Sequence, residues 1–217
     1  MGMDIGISIK NMRKIKFEEL LSFCEKKFSV NDNITSCIDI CNGTSWGSLY
    51  YDKETSDLVL VLEYRQLIPN LNIGIDLNKV KGLNSLVVEL MKFLGGHLSV
   101  GSLERYTFSL DPLYPLLQVI YSDSEKKIIQ LLRVHIQYWF DKSFSDKELT
   151  EIISNCSVYT QTIDGYRCIF LIPLDARLTG IENSLHDYLK KKYGLKLDKS
   201  KLIVHWNYMI IWKRNMD

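Results

Sequence analysis

The chain has 217 residues, enough for one large domain or two small ones, and its 46% hydrophobic and 24% charged content is that of a globular protein with a sizeable core. Its 27 Lys and Arg against 26 Asp and Glu give a net charge of +1, so no global field draws in nucleic acid or an anionic membrane; such a partner would need a local patch. No apolar run approaches the ~20 residues that span a bilayer. The five cysteines, Cys24, Cys37, Cys41, Cys156 and Cys168, are scattered and odd in number, and no charged segment followed by an apolar one opens the sequence. Free thiols in a reducing cytoplasm are the expectation.

In chain order, Phe17, Leu20, Leu21, Cys24 and Phe28 recur at helical spacing and predict a helix over about Lys16–Phe28. Strands are expected at Ile34–Cys41, Gly47–Tyr51, Asp57–Tyr64 and Leu71–Leu77, with the polar tip 52–56 joining two of them as a hairpin. A helix from about Leu83 to Leu94 ends at Gly95-Gly96, and a strand near His97–Leu110 follows. Between 111 and 140 the signals conflict. Leu132, Val134, Ile136, Tyr138 and Phe140 alternate with polar or exposed residue types, which favours a strand, yet Ile128, Ile129, Leu132, Ile136 and Phe140 also form a helical stripe. Alternation and β-formers tip the reading to strand. Ser145-x-x-Glu148 is a capping box for a helix to about Ile153, and Asp164-Gly165 is a hairpin turn between Ser157–Ile163 and Tyr166–Leu171. Thr179-x-x-Glu182 opens a helix stopping at Tyr193-Gly194, and Leu202–Trp212 is the last strand.

The fold class is therefore α+β: mainly antiparallel sheet with helices on one face. Helix, hairpin, helix and strand recur in both halves, which suggests subdomains 1–110 and 111–217, with one continuous domain as the alternative.

Gly43-Thr44-Ser45-Trp46-Gly47 satisfies the G-x-S-x-G pattern of a nucleophile elbow, but an elbow needs a helix after it, and here a short strand and a polar turn follow. Four dispersed histidines and the absence of paired Cys-x-x-Cys spacing argue against zinc. Cys37 and Cys41 on one strand would stand ~13 Å apart, too far to chelate together. Asp57 and Glu63, with Arg65 at the same parity, resemble the acidic metal site of restriction-type nucleases, although arginine cannot lose a proton to act as base. Solvated residues on a surface strand explain them more simply.

Trp206, Tyr208 and Trp212 share one face of the last expected strand, with Lys213 and Arg214 beside them, a mixture suited to stacking bases and holding phosphates. Gly165–Phe170 is loosely similar to an RNP1 run, with its small residue and second aromatic out of place. Packing of these rings into a core is the simpler account. No cofactor fingerprint and no catalytic cluster are present. The preferred expectation is a non-catalytic, protein-binding protein: an inhibitor, immunity-type or assembly subunit. Its partner-binding residues would be Trp46, Tyr50 and Tyr51, because tyrosine and tryptophan dominate interface hot spots and the strand Gly47–Tyr51 could add to a partner's sheet. Nucleic-acid binding through the C-terminal strand is the alternative, and an Mg²⁺ nuclease at Asp57 and Glu63 a lesser one.

Overall fold

The computed structural model describes residues 4–10, 13–34, 37–42, 45–52, 58–67, 76–103, 116–122, 126–140, 142–171 and 185–195. The strands are β1 (Asp4–Ile9), β2 (Ser29–Ile34), β3 (Cys37–Asn42), β4 (Ser45–Tyr51), β5 (Leu58–Glu63), β6 (Leu98–Leu103), β7 (Leu116–Tyr121), β8 (Ser157–Ile163) and β9 (Tyr166–Leu171). The helices are α1 (Phe17–Lys27), α2 (Tyr64–Leu67), α3 (Leu77–Leu94), α4 (Lys126–Trp139), α5 (Asp146–Cys156) and α6 (Leu185–Tyr193). The strands form one sheet in the order β2-β3-β4-β5-β1-β6-β7-β9-β8, with antiparallel pairing throughout.

The expected α+β class and antiparallel sheet are observed, but the helices occupy both faces. On β9, Cys168 and Phe170 join a core built with α1 and α3, whereas Ile169 and Leu171 join a second core built with α4, α5 and α6. Successive strand residues point to opposite faces, so a strand that is apolar at every position must be covered twice. The first core also takes in Ile5, Ile7 and Ile9 of β1 and Leu58, Leu60 and Leu62 of β5. The sheet order runs unbroken past the boundary expected near residue 111; residues 104–115 themselves lie outside the described set.

Local signals explain several element ends. Asp76 caps α3 by accepting from the backbone N–H groups of Asn78 and Lys79 at 3.0 and 3.2 Å, so the helix begins at Leu77, about six residues before the start expected from hydrophobic spacing. Leu77 therefore opens a helix rather than ending a strand; residues 71–75 of that expected strand are not described. Gly95 closes α3 in the left-handed conformation at φ 66°, and Asp164 and Gly165 (φ 48° and 83°) turn the chain between β8 and β9 as the dipeptide predicts. Ser145 and Glu148 make the reciprocal capping box of α5. Of the strand expected over Ile34–Cys41, Ile34 ends β2 and residues 37–41 belong to β3, so it is split between two strands.

The largest correction falls on residues 132–139, which are helical. In α4 the buried positions Ile128, Leu131, Leu132, His135 and Ile136 keep helical spacing, while Val134, which the strand reading turned inward, is 48% exposed. Three strands were missed: β2, of which only Ile34 was expected to be extended; β7 in the unclear stretch; and β1, although Ile5, Ile7 and Ile9 alternate over its whole length.

Candidate partner-binding face

Two of the three residues expected to bind a partner are separated by the pleat of β4. Tyr51 points into the first core, 4% exposed, and its hydroxyl donates to the carbonyl oxygen of Ile15. It is a buried structural tyrosine and is not open to a partner. Tyr50 points the other way and is 45% exposed. Trp46 lies opposite Cys41 in the β3–β4 register, at the parity of Ser48 and Tyr50.

The face that carries Tyr50 is built by cross-strand pairing. Tyr50 stands between Cys37 of β3 and Val59 of β5, and Ser48 between Asp39 and Val61. The Ser48 hydroxyl donates to Asp39 Oδ1 at 2.6 Å, and the Cys37 thiol donates to the same oxygen at 3.9 Å. One carboxylate thus ties neighbouring strands together beside the exposed ring. The Tyr50 hydroxyl is pushed above its ordinary value of 10.0, first by partial burial and then by Cys37 and Asp39, so it stays a neutral donor at physiological pH. On this face Val59, Val61 and Cys37 are buried, at 3%, 9% and 8% exposure, and Asp39, Cys41 and Ser48 are half-buried, so the exposure is that of Tyr50. Among the described residues the second core contains none of β1 to β5.

β4 itself is paired on both sides, to β3 and β5, so it cannot add to a partner's sheet as a free edge. Among the described residues the sheet ends at β2 and β8 instead. The G-x-S-x-G segment is part of the same construction. Ser45 lies in β4 opposite Asn42, with no helix following, so the elbow is absent. Gly47 has a packing reason: a Cβ there would stand 2.5 Å from the Val61 carbonyl oxygen, so only glycine allows β4 and β5 to approach this closely. The Ser48–Asp39 pair has no imidazole between hydroxyl and carboxylate, and so lacks the relay of a serine hydrolase.

The remaining sequence-derived sites come out as follows. β5 ends at the exposed Glu63, opposite Asp4, and Arg65 belongs to the helical turn α2, so the shared strand parity assumed for the nuclease reading does not hold. Asp57 lies outside the described residues, and no three His, Cys, Asp or Glu side chains among those described could hold a metal ion. In the RNP1-like run Gly165 and Arg167 are exposed and Tyr166 is half-buried, whereas Cys168, Ile169 and Phe170 are buried, so Phe170 packs in the core rather than offering a stacking platform. Trp206, Tyr208, Trp212, Lys213 and Arg214 lie outside the described residues. Burial pushes the thiols of Cys24, Cys156 and Cys168 up to about 12, which makes them inert core groups at neutral pH. No helix among the described residues is long and apolar enough to cross a membrane.

These features define an α+β protein with an exposed tyrosine, Tyr50, mounted on an interior strand. Comparison with known protein families, curated proteins and solved structures found no match to the chain.

Proposed function

We propose that the protein acts by stoichiometric association with another protein, as an inhibitor, immunity-type or assembly subunit, and that the outer face of β3 and β4 makes the contact. The observation that carries this reading is Tyr50: a large aromatic residue, 45% exposed, on a strand held by neighbours on both sides and flanked by the Cys37–Asp39–Ser48 hydrogen bonds. A tyrosine fixed this way loses little conformational entropy on binding and offers both a flat apolar ring and a hydroxyl donor. A reducing, cytoplasmic setting is part of the same reading, supported by five free cysteines.

Native mass spectrometry of the chain isolated from its own host at low salt tests it. The wild type should carry a protein companion at fixed stoichiometry. Tyr50→Ala should lose it, while Val134→Ala, which removes a comparably exposed apolar side chain from α4, should keep it. A companion retained undiminished by Tyr50→Ala would remove this face from the interface. Nucleic acid in place of protein would favour the alternative built on Trp206, Tyr208, Trp212, Lys213 and Arg214.

A further inference from the structure

We draw no further inference here: the strongest candidate, the outer edge of β8, an uncharged run from Ser157 to Ile163 that ends the sheet among the described residues, carries no proposal because nothing in the structure shows what covers it.

Discussion

The two cores are closed in different ways. Both have charged rims: Lys27, Glu89, Lys92 and Asp164 link α1, α3 and the β8–β9 turn around the first, and Arg133–Asp146 and Lys192–Glu151 tie α4, α5 and α6 around the second. Among the described residues only the first also carries a hydrogen-bonded amide seam inside. Gln118 of β7 donates to Asn84 of α3 at 2.6 Å, and Asn84 donates to Gln161 of β8 at 3.4 Å, with Asn84 and Gln118 each 1% exposed. Gly101 makes room for the seam, since a Cβ there would meet that of Gln118 at 3.0 Å. A long helix lying over a wide sheet can slide along it at little hydrophobic cost. A buried amide pair stops this, because any shift leaves polar groups unpaired away from water. The second core needs no such device, because its shorter helices are fixed at their ends. The capping box starts α5, and Arg133 donates to the Phe144 carbonyl oxygen at 2.9 Å just before it.

Three substitutions sharpen this contrast. The largest effect belongs to the apolar body of the first core: Leu86→Ala, at 1% exposure in the middle of α3, should cost about 2–5 kcal/mol by denaturant unfolding. Next comes the seam. Gln118→Ala strands the Asn84 amide and should cost about 1–3 kcal/mol, whereas replacing Gln118 and Asn84 together by Leu should recover part of that loss. A double variant no more stable than Gln118→Ala would show that the amides do not work as a pair.

The smallest effect lies on the second core's edge, where Ser145→Ala should cost about 0.5–2 kcal/mol. This cap is also pH-sensitive. Hydrogen bonds from the Ser145 backbone N–H and hydroxyl hold the Glu148 carboxyl below its ordinary value of 4.5. Its contribution is therefore complete above that ordinary value and disappears as pH falls through the lowered folded value. Melting temperature measured down through the carboxyl range should fall less steeply in Glu148→Gln than in the wild type; an unchanged slope would remove the cap from the acid response.

At the Tyr50 face, the sequence marked a cluster of aromatics but could not say which side each would take. Adjacent residues of a strand face opposite ways, so Tyr50 and Tyr51 could not both be open; only the position of the first core shows that Tyr51 is the buried one. The Asp39 hub was missed because its partners Cys37 and Ser48 become neighbours through strand pairing, and only Cys37 is close in sequence.

What the sequence determined by itself is the set of features with local causes. The stripe of α1, the Gly95 cap, the Ser145–Glu148 box and the Asp164-Gly165 turn each depend on residues a few positions apart, and each is found where the spacing put it. Tertiary structure decided what depends on distant partners. Residues 132–139 fit both a strand and a helix, and became helical because the second face of β7 and β9 needs a continuous apolar stripe to cover it. The first strand sits between β5 and β6 in the middle of the sheet, a place fixed by pairing with segments far away in sequence, such as Asp4 with Glu63 and Ile5 with Leu103. Local propensity sets what an element can be, and only the surface it must cover selects among the forms it allows.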